Sequence, residues 1–75
     1  PHRHVERMAE IRLMLAALEI EDEEIVELLV ARANGHSVEE LAARKDLSAG
    51  ALKMRLMRAR KRLRQRLEQL RQGQE

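Results

Sequence analysis

The residues best placed to do chemistry run from Ser48 to Arg66, where eight side chains are Lys or Arg and none is Asp or Glu. The cations are Lys53, Arg55, Arg58, Arg60, Lys61, Arg62, Arg64 and Arg66. Written as a helix, this stretch and its continuation put Leu52, Leu56, Ala59, Leu63, Leu67 and Leu70 on one narrow stripe. At about 100° per residue, Lys53, Met54, Met57, Lys61 and Arg64 fall on the side away from it. A row of guanidinium and ammonium groups binds phosphate oxygens, and a methionine among them adds apolar contact. Like charges also repeat four residues apart, at Arg58/Arg62, Arg60/Arg64 and Arg62/Arg66, each costing roughly 0.2–0.5 kcal/mol in an isolated helix. A polyanion alongside relieves that repulsion.

Other reactive residue types have simpler explanations. Ser37 and Ser48 both sit where helices begin and read as caps, not nucleophiles. His36 adjoins Ser37 but has no evident carboxylate to orient it for catalysis. His2 and His4 form an H-x-H pair at a terminus, where adventitious metal binding is the most to expect. Glu21, Asp22, Glu23, Glu24 and Glu27 are dense in carboxylate, yet successive helical residues point in different directions and do not converge on a cation. We therefore expect no enzyme, no metal and no cofactor.

With 75 residues the chain makes one small domain with a thin core. It has no cysteine, hence no disulfide and no thiolate zinc site. No run of apolar residues is long enough to span a bilayer, and a membrane-surface helix lacks the Trp or Phe anchor it would use. A cytoplasmic location fits. The net charge of +2 conceals an asymmetry. Residues 1–43 carry four Arg against ten acids, and residues 44–75 carry eleven cations against three acids. Such a split suggests a directed partner. The plainer alternative is that the two halves neutralise each other within the molecule.

These charges must be positioned by helices. Residues 5–18 place Met8, Ile11, Leu15 and Leu18 at spacings of 3, 4 and 3, a stripe expected to face the core, with Leu13, Met14, Ala16 and Ala17 broadening it. Met8 and Met14 thus read as core, and Met54 and Met57 as interface. A second helix is expected over 23–33, capped by Asp22, with Glu23 and Glu24 at its positive end and Asn34-Gly35 closing it; neither Gly nor Pro separates it from the first, and one continuous helix is the alternative. Ser37 and Glu40 have the spacing of a capping box opening a short third helix to about residue 45. Asp46-Leu47-Ser48 then turns the chain into the basic helix, which continues to about residue 71. The expected fold is all-α: four helices, with a C-terminal helix-turn-helix and a long basic last helix. Residues 1–4 read as boundary, vector or disordered sequence, 5–71 as the domain and 72–75 as a frayed tail. Past Leu63 the leucines either fold back on the first helix or pair with another chain.

The stretch 37–63, S-V-E-E-L-A-A-R-K-D-L-S-A-G-A-L-K-M-R-L-M-R-A-R-K-R-L, resembles the fourth conserved region of bacterial sigma factors, closest to the extracytoplasmic-function group. Its specific part is Gly50 to Leu63, with Lys53, Arg55-Leu56 and Arg58-Ala59-Arg60. The resemblance implies a DNA-binding module of a transcription initiation factor. It would read a −35-type promoter element in the major groove of double-stranded DNA while docking on the flap of RNA polymerase, with an anti-sigma-like protein as a further partner. Carried onto this chain, Ala49, Gly50, Lys53, Met54 and Met57 would face bases. Ser48, Arg55, Arg58, Arg60 and Lys61 would lie along phosphates.

The chain departs from that pattern in several places. Ala51 stands at a usual Thr, Lys45-Asp46 at a usual Leu-Gly, and His36 at a usual apolar residue. Glu19-Ile20-Glu21-Asp22-Glu23-Glu24 replaces the usual Pro and Arg before the second helix. That acidic edge would repel DNA if it faced the duplex, and it favours a basic protein partner. Aromatic residues to capture unstacked bases are absent, so this chain alone would not open a promoter. Two alternatives stand beside the leading reading. One is a LuxR-type response-regulator effector domain dimerising through Leu63, Leu67 and Leu70. The other is a protein-interaction module that has lost DNA binding.

Overall fold

The computed structural model describes residues 2–73, which form four helices: α1 (His2–Leu18), α2 (Glu23–Ala33), α3 (Val38–Arg44) and α4 (Ala49–Gln72). The all-α expectation and the order of the helices hold. Helix α1 starts at His2, earlier than the expected residue 5. The expected tail begins in helix, because α4 runs through Gln72 and Gly73 follows as a turn. Pro1, Gln74 and Glu75 lie outside the described residues, so the expectations for both termini reach past what the structure describes.

Each boundary has a local cause. Asp22 occupies the N-cap position of α2, but its side chain makes no capping bond, contrary to expectation. Glu23 and Glu24 in the first turn instead complement the exposed amides of the helix start. At the other end Gly35 adopts φ 99°, and the His36 amide donates to the Ala31 carbonyl at 3.1 Å while that of Gly35 donates to Arg32 at 3.1 Å. These paired bonds satisfy the last carbonyls of α2. Helix α3 ends the same way with Asp46 in place of glycine, at φ 55°, and Leu47 donating to Ala42 at 2.9 Å. Asp tolerates this left-handed conformation better than most residues. Lys45-Asp46 can therefore close the helix where Leu-Gly is usual.

The core sits where α2, α3 and the first half of α4 meet. Leu28, Leu41, Ala42, Leu52 and Leu56 are its buried centre, with Leu29, Ala31, Val38, Leu47 and Ala49 packed around it. Burying a leucine contributes about 1.5–3 kcal/mol, so these few side chains carry most of the favourable burial. Ala17, Ile25, Ala59 and Leu63 extend the buried line toward α1.

Helix α1 differs from expectation. Ile11 and Leu15 are 52% and 58% exposed, and Met8 and Met14 are exposed as well. Of the stripe expected to face the core, Met8, Ile11 and Leu15 point outward and Leu18 is half-buried. The reason is geometric: past Leu63 α1 runs against α4 alone, and one helix covers only one side of another. That side is lined by small or middle-sized residues. Ala17 is fully buried, and Leu13 and Ala16 lie beside Leu70. The leucines beyond Leu63 thus fold back on α1, with Leu67 and Leu70 half-buried. The molecule is elongated, 43 × 24 × 16 Å, because α4 projects past the three-helix head.

Candidate nucleic-acid interface

Two serines set up the helix pair. Ser37 Oγ accepts from the Glu40 amide at 3.1 Å, and Ser48 Oγ accepts from the Ala51 amide at 3.1 Å. Each has extended backbone, as an N-cap requires. The capping box is lopsided. The Glu40 carboxylate turns mainly to neighbours on its own helix, lying 3.3 Å from His36 Nδ1 and accepting from Arg44 at 3.0 Å. The hydrogen bond with His36 is the chief cause that holds the Glu40 carboxyl below its usual range, with His36 and Arg44 charge and the Ser37 amide assisting. The short α3 is thereby tied at both ends, which fixes the turn that launches α4.

On α4 the core takes Leu52, Leu56, Ala59 and Leu63, leaving the rest of the circumference to solvent or to acids. Among the residues expected to face bases, Lys53 is exposed, and Met54 and Met57 are 46% and 50% exposed. Gly50 is exposed, and a Cβ built there would meet nothing within 4 Å. Ala49 differs. It is half-buried against the core, which leaves it little surface for a base edge. Ser48, expected at a phosphate, accepts the cap bond from Ala51 with one lone pair, which leaves its O–H as a donor, and its position at the helix start keeps the first amides of α4 nearby.

The expected phosphate set divides. Arg58, Arg60 and Lys61 are exposed, and among the described residues no carboxylate lies within ion-pair distance of them. Arg55 is half-buried and lies 3.8 Å from Glu24, which also approaches Lys45 at 4.0 Å. Arg62 is fully engaged: its Nε donates to Glu21 Oε1 at 2.7 Å and its Nη2 to Oε2 at 3.0 Å. That two-pronged bond raises the Arg62 pKa further above its usual value. The Glu21 side chain is only 5% exposed. Arg66, one turn further on, is half-buried with its Nε enclosed and unpartnered.

Within the acidic stretch that would repel DNA if it faced the duplex, Glu21 is enclosed against Arg62 and the exposed Glu24 reaches Arg55 and Lys45, while Glu19, Asp22 and Glu23 stay exposed. The signal available was the acid-rich first half facing a cation-rich second half, which intramolecular neutralisation explains for this flank but not for Lys53, Arg58, Arg60, Lys61 and Arg64. Among the described residues no group of His, Asp or Glu is arranged to hold a metal ion. No helix among them is long and apolar enough to cross a membrane.

A short capped helix, a tight turn and a long helix with free cations define a helix-turn-helix nucleic-acid-binding module. The family model for sigma-70, region 4 matches residues 8–63, three quarters of the chain. The chain belongs to this family of DNA-binding transcription modules. No curated protein and no solved structure gives a match. The matched span covers α1 from Met8 through the buried leucines of α4 and stops before Arg64.

Proposed function

We propose that this module reads a −35-type promoter element with the first half of α4 in the major groove while it is held against the flap of RNA polymerase. The observation that carries the DNA-reading part is the exposed face of Lys53, Met54, Met57, Arg58, Arg60 and Lys61, whose cations have no carboxylate within ion-pair distance among the described residues. Lys53 donates to guanine O6 and N7 or to a phosphate, and the methionines offer apolar contact to thymine methyls. Base discrimination is therefore modest, and most affinity comes from phosphates. The uncovered apolar side of α1, with Met8, Ile11 and Leu15, supports docking on a protein, for which the family implies the polymerase flap. An anti-sigma-like antagonist would compete for the same surface. Such work belongs in the bacterial cytoplasm, where the template is.

The LuxR-type alternative loses its support, because Leu63 is buried and Leu67 and Leu70 already pack within the chain. A pure protein-interaction role leaves the free cations of α4 without a use. A titration of random and selected duplexes at two salt concentrations, with and without the polymerase flap, tests the proposal. Salt-sensitive binding with a preference among sequences supports it. Tight flap binding with no response to DNA refutes the reading role.

A further inference from the structure

Two lines of cations run along α4, with Arg58 and Lys61, unpaired among the described residues, on the outward arc between them. Arg55 and Arg62 are seven residues apart, which places them within about 20° of one line along the helix. Both meet acids from the end of the α1–α2 turn and the start of α2: Glu24 at 3.8 Å from Arg55 and Glu21 at 2.7 Å from Arg62. Lys53, Arg60 and Arg64 share a second line, at spacings of 7 and 4, and all three are exposed. No carboxylate among the described residues comes within ion-pair distance of these three. Only Arg71, at the far end of that line, is taken, by Glu10 of α1 at 3.3 Å.

We propose that the acidic turn closes one flank of α4 to polyanions and directs the duplex onto the other flank. Lys53 then sits at the groove end of a phosphate track that continues through Arg60 and Arg64. From Lys53 to Arg64 the helix rises about 16 Å at 1.5 Å per residue, long enough to pass several phosphates of one strand. Arg64, beyond the span the family model matches, becomes a phosphate-positioning residue. Glu24 becomes a brake. Its exposed carboxylate stands beside Lys45 and Arg55 as a phosphate would, at distances long enough to exchange, and DNA must displace it to reach them. Glu21, nearly enclosed and bound through both oxygens, is the fixed part of the device. This inference rests on the DNA-reading role proposed above.

The test compares duplex binding by the full chain and its variants at about 50 and about 200 mM salt, where one phosphate contact alters the ratio of the two affinities about 3.5-fold. Arg64→Gln is expected to shrink that ratio about 3.5-fold, and Arg62→Gln to leave it at the wild-type value. Glu24→Gln is expected to raise affinity several-fold and to enlarge the ratio. Arg62→Gln strips an enclosed carboxylate of its partner, so the double variant Glu21→Gln/Arg62→Gln is measured beside it, with helicity checked by circular dichroism. Equal loss in the Arg62 and Arg64 variants, or no gain in Glu24→Gln, overturns the flank assignment while DNA reading stands. A wild-type chain with no salt-dependent binding overturns the reading role and the flank assignment together.

Discussion

At the scale of single residues, function turns on which charges are already spent. Arg62 is spent on Glu21, whereas Arg58 and Lys53 are exposed with no carboxylate within ion-pair distance among the described residues. Arg58→Ala is therefore expected to weaken binding to all duplexes alike and to lower the salt slope by about one. Lys53→Ala or Met54→Ala is expected to change the ranking among sequences, read by competition with variant duplexes. The Glu40 carboxyl supplies a pH signature. Its folded pKa lies below the ordinary 4.5, held down first by the hydrogen bond with His36. A depressed carboxylate adds stability above its unfolded pKa and loses it as pH falls through the folded value. Thermal melts of Glu40→Gln should thus lose less stability than wild type as pH drops below about 4.5. Parallel pH dependences would contradict that role. Serine caps were legible in the sequence because a hydroxyl before a helix has one good use. The Glu21–Arg62 bond was not, since 41 positions separate its partners and no local pattern links them.

At the scale of elements, the apolar spacing located four helices but assigned one face wrongly. For α4 the stripe Leu52, Leu56, Ala59, Leu63 is the buried face, because α2 and α3 cover its start and α1 the rest. For α1 the same periodicity marks a face that, at Met8, Ile11 and Leu15, nothing among the described residues covers, while Leu13, Ala16 and Ala17 take the seam. Periodicity shows that a helix has an apolar side; it does not show that the chain owns the cover. Two substitutions separate these cases. Leu52→Ala, at a fully buried site, is expected to cost about 2–5 kcal/mol, enough to unfold much of so small a domain. Leu15→Ala is expected to change stability by no more than about 0.5 kcal/mol. Denaturant titration of both checks this, and a large loss at Leu15 would mean that α1 is packed on that side. The α3–α4 turn was partly legible. Asp46 has a side chain that tolerates positive φ, and the structure uses it so.

At the scale of the whole molecule, the acidic and basic halves are not simply a neutral pair. Part of the acid from the first half is turned onto one side of α4, and the opposite side is left bare. The result is a 43 Å rod with a directional positive surface, although the net charge is only +2. The central claim is that this bare side lies along nucleic-acid phosphates. Its most direct test is the affinity of the wild-type chain for a duplex as a function of salt. If about five phosphates are engaged, log K falls against log salt with a slope of roughly −4 to −5. A flat response would contradict the account, because cations that release no counterions are not touching the backbone.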